Sequence, residues 1–195
     1  IGTSRLTPDY NPVVVMNTLL GGSFTSRLNQ NLREKHGYTY GASSRFMFRP
    51  APGSFVAASS VQTEVTDKAL IEFFNELNGI RELLTDADLN RAKNLVALSY
   101  PGNFQSVSEI AGELEEMVLY NLPTNYFGEF VSKILSVNGN DVTGTAKKYI
   151  VPDQMIVVIV GDKVKVEEGI KKLNLGELKN LSIEDVLGKV PQLSK

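Results

Sequence analysis

A single histidine and the absence of cysteine limit the chemistry that this sequence can perform. The histidine, His36, lies between Lys35 and Gly37, where a surface or helix-capping role is favoured. Without cysteine there are no disulfides, thiolate metal sites or cysteine nucleophiles, while the compartment stays open. One imidazole could serve a Ser-His-Asp triad, but a hydrolytic zinc site usually takes two or three. The sequence therefore predicts no metal site within this chain.

The turn Gly21-Gly22-Ser23 could present backbone amides to an anion. It lies between two predicted helices, so a plain connecting turn is the favoured interpretation. Neither G-x-G-x-x-G after a strand nor G-x-x-x-x-G-K-[ST] occurs, and Gly22-Ser23 lacks the second glycine of a nucleophile elbow. Acidic pairs such as Glu115-Glu116 are typical of solvated helix faces. A small-molecule-binding domain with an anion site at this turn is one of three functional hypotheses.

Composition excludes further classes of function. The chain has 20 Lys and Arg and 22 Asp and Glu, so its net charge is −2. This balance argues against nucleic acid as a partner. Hydrophobic residues make up 42% of the chain, as in ordinary globular proteins. No apolar run approaches the roughly 18 residues that a membrane span needs. The longest, Met155 to Val160, predicts a buried strand.

The candidate residues must be positioned by a few strands and many helices. In the first helix, β-branched Val13 and Val14 favour a strand, but Pro12 at the start and Gly21-Gly22 at the end favour a helix, which we adopt. Further helices are predicted over 26–35, from Thr66 as a possible cap, from Thr85 or Asp86 to Ser99, from Ser106, and over 126–136, 141–149 and 164–173. Strands are predicted over 38–48 and 54–62, joined as a hairpin, and over 156–160.

This order of elements predicts the fold class. Strands, then a run of helices, then a strand and a helix do not alternate as in a doubly wound sheet. We therefore expect an α+β fold, a two-layer sandwich in which a helical layer covers a mostly antiparallel sheet. Residues 1–195 are predicted to form a single domain.

Two segments carry a more specific signal. Residues 19–28 read LLGGSFTSRL, and residues 32–41 read LREKHGYTYG. Together they resemble the segment shared by the halves of the pitrilysin/insulinase-type zinc peptidases, the inverzincins. Similarity extends over nearly the whole chain, to the strand that closes with Val160-Gly161-Asp162.

The resemblance implies paired homologous halves that close around a chamber, with a zinc held by H-x-x-E-H and a distant Glu. Because one His cannot supply that motif, the chain resembles the non-catalytic, C-terminal-type half. This half keeps an Arg and a Tyr seven positions apart, matched by Arg33 and Tyr40, which are expected to reach the substrate at the opposite zinc. Tyr38 is a weaker candidate and is expected to pack beside the chamber wall. Spacing alone would favour a structural role for both residues, with Arg33 on the helix surface and Tyr40 packed in the strand.

The resemblance also implies partners. These are a peptide substrate and a zinc-bearing homologous half, either upstream in the same polypeptide or a separate subunit; zinc is expected there and no cofactor in this chain. The family's first strand would precede Ile1, so the chain is expected to be a fragment that could form a homodimer when isolated. The alternative function is a structural or assembly subunit of the same fold without a peptidase role.

Overall fold

The computed structural model describes residues 2–82 and 84–189. Two strands, β1 (Thr39–Phe46) and β2 (Phe55–Val61), form an antiparallel hairpin. The α-helices are α1 (Tyr10–Leu20), α2 (Thr66–Gly79), α3 (Asp86–Ser99), α4 (Val107–Leu119), α5 (Tyr126–Ser136), α6 (Gly139–Tyr149), α7 (Lys163–Lys172) and α8 (Ile183–Leu187). A π-helix spans Asn29–Lys35, and short 3₁₀ turns span Thr63–Val65, Tyr100–Phe104 and Pro152–Gln154. This architecture confirms the α+β class.

Helix α1 is the centre of the core. It packs against α3, α5 and α6 on one side and against β1 on the other. The helix prediction here was correct, because burial on several sides explains the β-branched residues that also suited a strand. Its fully buried or nearly buried side chains are those of Val13, Val15, Met16, Leu19 and Leu20.

The segment before α1 is fixed by a buried arginine that sequence reasoning missed. The Arg5 guanidinium lies 3.6 Å from the centroid of the Tyr10 ring and 3.2 Å from the Glu116 carboxylate of α4. Its Nη2 also donates a hydrogen bond of 2.8 Å to the Tyr126 hydroxyl of α5. Because a buried charge is stable only when it is paired, this network holds residues 2–9 against α4 and α5.

Local capping signals located most helix ends correctly. The side chains of Thr85 and Ser106, both predicted as helix starts, accept backbone amides at the starts of α3 and α4, and Asp162, which was not predicted as a cap, does the same for α7. Thr66 differs from the prediction, because it is the first residue of α2 rather than its cap. Its hydroxyl lies 2.9 Å from the Thr63 carbonyl and closes the preceding 3₁₀ turn.

The predicted helix over 26–35 is present but wound differently. Its main part, Asn29–Lys35, is a π-helix, and the His36 amide donates to the carbonyl of Asn31, five residues earlier. Leu28 and Leu32 are both fully buried, as their spacing predicted. Such π turns are rare in proteins as a whole, and those that occur often lie at functional sites.

The prediction of a core strand over residues 156–160 is wrong. These residues form neither a strand nor part of the core, and all five side chains are substantially exposed. Their composition favours a strand, but a strand forms only where another strand offers backbone partners. Within the described chain, sheet hydrogen bonding is confined to β1 and β2.

Candidate functional site

The turn over residues 21–25 is the point to which the candidate residues connect. Gly21 lies so close to β1 that a Cβ there would stand 2.4 Å from the Ser44 nitrogen, so this position needs glycine. The Gly21 carbonyl accepts the Ser44 amide at 3.0 Å. Asn17, in the last turn of α1, forms two further bonds with Ser44: its Nδ2 donates to the Ser44 carbonyl, and its Oδ1 accepts the Ser44 hydroxyl. The turn is thereby fixed against the strand that carries Tyr40.

Tyr40 lies in a β-bulge at the start of β1. Thr39 pairs with Val61 and Ala42 with Ser59, so Tyr40 and Gly41 together face Ser60 alone. The Tyr40 side chain is 98% exposed as a result. Bulges of this kind redirect side chains and are common beside active sites.

Hydrogen bonds between neighbouring polar groups stabilise the bulge. The Thr39 hydroxyl accepts the Gly41 amide at 3.0 Å and lies 2.6 Å from the Ser60 carbonyl. The Ser59 hydroxyl lies 2.8 Å from the Thr39 hydroxyl and 2.9 Å from the Gly41 carbonyl. The position of Tyr40 is therefore fixed by the backbone on both of its sides, while its phenol ring projects into solvent.

Asn29 connects the turn, the π-helix and the bulge. Its Nδ2 donates to the Ser23 carbonyl at 3.0 Å, and its Oδ1 accepts the Ala42 amide at 2.9 Å. The side chain is buried, so both bonds are shielded from water. Sequence reasoning missed this residue, since a lone asparagine in a helix carries no distinctive pattern.

We expect Asn29→Ala to lower the free energy of unfolding by about 2–3 kcal/mol, because it leaves the Ser23 carbonyl and the Ala42 amide without partners. Urea denaturation followed by circular dichroism measures this change. Asn140, an exposed residue near the start of α6, provides the matched control, whose alanine variant should change the stability by less than about 0.5 kcal/mol. Equal stability of the two variants would show that Asn29 does not connect these elements.

Arg33 lies on the π-helix and contacts Phe24 of the turn. Its guanidinium carbon is 4.3 Å from the centroid of the exposed Phe24 ring, a cation–π contact that orients the group. Nη1 lies 3.4 Å from a Glu34 carboxylate oxygen and has no hydrogen-bond partner among the described residues. The side chain is 31% exposed. Nη1 itself is buried, so an external acceptor could meet only the exposed part of the guanidinium.

Contacts to α2 hold the π-helix in place. Asn31 donates to the carboxylates of Glu72 and Glu76 at 2.8 and 2.7 Å, and Arg27 pairs with Glu76 at 2.7 Å. Hydrogen bonding from Asn31 holds the pKa of the Glu72 carboxyl below its ordinary value. His36 Nε2 lies 4.0 Å from the same carboxylate.

Tyr38 packs inside the domain and differs in this from Tyr40. Its ring stacks on His36, with centroids 4.9 Å apart, and contacts the hydrophobic core. Its backbone amide donates to the Leu32 carbonyl at 2.8 Å, and its carbonyl accepts the Gln62 amide at 3.1 Å. Tyr38 is therefore partly buried against the core, and its place beside a chamber wall stays a prediction.

The glycine amides of the turn are already bonded. Those of Gly21 and Gly22 both donate to the Asn17 carbonyl, at 2.9 and 2.7 Å. The Ser23 hydroxyl donates to the Thr18 carbonyl at 3.1 Å. These bonds favour the connecting turn over the anion site, since an anion would need the same donors.

Over residues 2–82 and 84–189, no three His, Cys, Asp or Glu side chains come together as a metal-binding group. In the same part of the chain, every helix is too short or too polar to cross a bilayer.

Comparisons with known proteins show which family and fold this chain resembles. Residues 1–96 match the family model of the peptidase M16 inactive domain. A peptidase M16 inactive domain from Pseudomonas fluorescens is 30% identical with a TM-score of 0.70, and the match covers 76% of this chain and 36% of that one. This chain therefore spans about a third of the length of that structure.

Two more distant structures share the fold. The inactive peptidase domain of a proposed zinc protease from Bordetella parapertussis is 18% identical with a TM-score of 0.61, covering 76% of this chain and 81% of that one. A chain in complex III2 from Candida albicans is 18% identical with a TM-score of 0.67, covering 78% and 38%.

These findings confirm the resemblance to the inactive half of the pitrilysin/insulinase-type peptidases. The family model covers the region that carries the turn over residues 21–25, Arg33 and Tyr40. Residues 1–96 are thus similar to the peptidase M16 inactive domain family, and the likeness to the Pseudomonas fluorescens structure extends over about three quarters of the chain.

Proposed function

We propose that this chain is the substrate-binding, non-catalytic half of a zinc metallopeptidase. It closes a chamber against a homologous zinc-bearing half and positions peptide substrates there for hydrolysis. In this function Arg33 binds the peptide, and Tyr40 supports the transition state. The zinc and the acid–base groups belong to the other half.

The exposure of Tyr40 is the observation that carries this proposal. A tyrosine that serves packing covers at least part of its ring, as Tyr38 does against the core. Tyr40 exposes almost its entire side chain, and the bonds of the bulge fix the backbone beneath it. A phenol ring exposed in this way contributes little to the stability of the domain. We infer that it contacts a group outside the domain.

The chemistry of the two side chains suits a peptide. The planar guanidinium of Arg33 can donate two parallel hydrogen bonds to a carboxylate or to neighbouring carbonyls. The phenol of Tyr40 can donate one hydrogen bond to a carbonyl oxygen or to the oxyanion that develops from it.

The test requires the zinc-bearing half. The coding sequence before Ile1, or a neighbouring gene, is read for H-x-x-E-H, and that half is produced alone and together with this chain. We expect peptide hydrolysis only by the pair. Full activity of the zinc-bearing half alone would contradict a substrate-binding function for this chain.

We expect the isolated chain to hold far less than one equivalent of zinc and to cleave no peptide. Catalytic zinc takes three protein ligands, almost always with His among them, and His36 is the only histidine. Metal analysis after dialysis, with a peptidase assay in the presence and absence of chelator, checks both statements. Stoichiometric zinc, or cleavage that the chelator abolishes, would contradict them.

A structural or assembly function without peptide chemistry is the second candidate. The Candida albicans complex III2 chain has the same fold at 18% identity, so the fold is also found outside proteases. This candidate predicts that the pair assembles normally but that substitutions at Arg33 and Tyr40 leave its activity unchanged.

A further inference from the structure

The helix over residues 29–35 keeps a winding that most sequences avoid. The His36 amide at its end donates to the Asn31 carbonyl, five residues earlier, at 3.1 Å. In an α-helix each amide donates to the carbonyl four residues earlier. The wider winding, here called the π register, is rare and persists only where the surrounding structure holds it. The contacts around this helix therefore determine where its side chains lie.

Two buried asparagines hold the helix from opposite sides. Asn29 bonds the Ser23 carbonyl and the Ala42 amide, which belong to the turn and to β1. Asn31, two positions further on, lies on the other side of the helix and bonds α2. The helix cannot change its winding without breaking one of these two sets of bonds.

The Asn31 amide makes two hydrogen bonds to charged acceptors. Its Nδ2 carries two hydrogens and donates to Glu72 at 2.8 Å and to Glu76 at 2.7 Å. The two acids are four residues apart, so they share one face of α2. Hydrogen bonds to carboxylates are roughly twice as strong as those between neutral groups. Asn31 is 8% exposed, so the chain itself shields these bonds from water.

The winding of this helix sets the direction of Arg33. A change of register by one residue would turn the side chains that follow by about 100° around the helix axis, because an α-helix has 3.6 residues per turn. The Arg33 guanidinium would then leave the Phe24 ring, whose centroid is now 4.3 Å away. Asn31 thus controls a side chain that lies two positions further along the helix.

We propose that Asn31 is a positioning residue for peptide binding. By bridging two carboxylates of α2, it keeps residues 29–35 in the π register and so orients the Arg33 guanidinium toward the peptide. The effect on the peptide rests on the proposed function, whereas the control of the register does not. The two effects therefore need separate measurements.

Hydrogen exchange of the full chain tests the register. Asn31→Asp places a third carboxylate against the two of α2, so the amides of residues 33–37 should exchange at least about tenfold faster, the effect of losing one bond to a charged group. The amides of α5 and α6 should not change. Asn31→Ala removes the donor without adding charge and should act in the same direction. It replaces Asn31→Asp if that variant fails to fold.

Gln30→Glu is the matched control for this experiment. Gln30 lies on the same helix and is exposed, so its replacement makes the same change from amide to carboxylate without touching the bridge. The exchange of residues 33–37 should stay as in the original chain. Equal acceleration in Gln30→Glu and Asn31→Asp would mean that added charge alone loosens the helix, and it would overturn the role of Asn31.

Exchanging donor and acceptor tests the bridge itself. In the double variant Asn31→Asp with Glu72→Gln, the new glutamine amide can donate to the new carboxylate, and the number of charges stays the same as in the original chain. Slow exchange should return in part, because one of the two bonds is remade. Exchange as fast as in Asn31→Asp alone would show that Asn31 fills space and does not bridge.

Kinetics of the assembled peptidase tests the effect on Arg33. Asn31→Asp should raise KM at least about threefold with little change in kcat, because a displaced guanidinium binds the peptide less well. The rise should not exceed that of Arg33→Ala. Combined with Arg33→Ala, Asn31→Asp should add nothing, since it acts only through the guanidinium that is then absent. A further rise of KM in this double variant would contradict the positioning role.

The two proposals fail in different ways. If Arg33→Ala leaves KM unchanged, peptide binding by Arg33 is wrong, and the exchange of residues 33–37 still decides whether Asn31 holds the register. If Arg33→Ala raises KM while Asn31→Asp accelerates exchange without changing KM, Asn31 holds the helix but does not position Arg33. Unchanged exchange in both Asn31 variants would overturn the control of the register.

Discussion

Replacing Tyr40 with phenylalanine is expected to lower kcat of the assembled peptidase by up to about 10²–10³, with little change in KM. In peptide hydrolysis, negative charge develops on the carbonyl oxygen as the tetrahedral intermediate forms. A phenol that donates a hydrogen bond to this oxygen acts mainly in the transition state. Its removal therefore slows the chemical step without weakening substrate binding to the same degree.

Because Tyr40 is exposed, this substitution should change the chemistry of the site without changing the fold. Its hydroxyl forms no hydrogen bond within the described residues, and its ring is almost fully exposed, so phenylalanine should not alter the fold. Tyr38→Phe is the matched control, since it removes the same atom from a ring that stacks on His36 two residues away. Steady-state kinetics with one peptide gives kcat and KM for all three proteins. If Tyr40→Phe behaves like Tyr38→Phe, the phenol takes no part in hydrolysis.

The helices and the hairpin were predictable because their signals are local. Thr85 and Ser106 cap helices at the predicted positions, and the turn-rich stretch 49–53 separates the paired strands. Each signal acts over three or four residues, so it holds whatever the rest of the chain does.

The segment over 156–160 shows where local reasoning fails. Its β-branched residues favour an extended conformation, and the alternating exposure is consistent with one. Whether such a segment is buried depends on a strand beside it, which is a long-range property. Composition alone could not show that residues 156–160 have no pairing strand within the described part of the chain.

The geometry around Tyr40 was only partly visible in the sequence. Gly41 within a predicted strand is a recognised signal of a bulge and could have indicated one here. The spacing of Arg33 and Tyr40 came from family resemblance. The contacts of Phe24 with Arg33 and of Asn29 with Ala42 join residues nine and thirteen positions apart, and neither has a pattern in the sequence.

Arg33→Ala should mainly raise KM of the assembled peptidase, by about tenfold to a hundredfold, the worth of a hydrogen bond to a charged donor. A guanidinium that binds the peptide backbone or terminus interacts with the ground state and the transition state alike, so kcat should change little. Arg33→Lys should recover only part of the loss, because an ammonium group cannot form two parallel bonds.

A second arginine allows substrate binding by Arg33 to be distinguished from the general effect of losing one positive charge. Phe24 orients the guanidinium, and the side chain remains 31% exposed, so part of the group can meet an external acceptor. Arg49→Ala, in the exposed hairpin loop, removes the same charge far from this arrangement and should leave KM unchanged at constant ionic strength. If the two alanine variants have equal KM values while the fold and assembly are intact, Arg33 does not bind the substrate and is only a helix-surface residue. A rise in KM only at Arg33, partly reversed by lysine, requires a bidentate contact to the substrate, since charge alone would be restored in full.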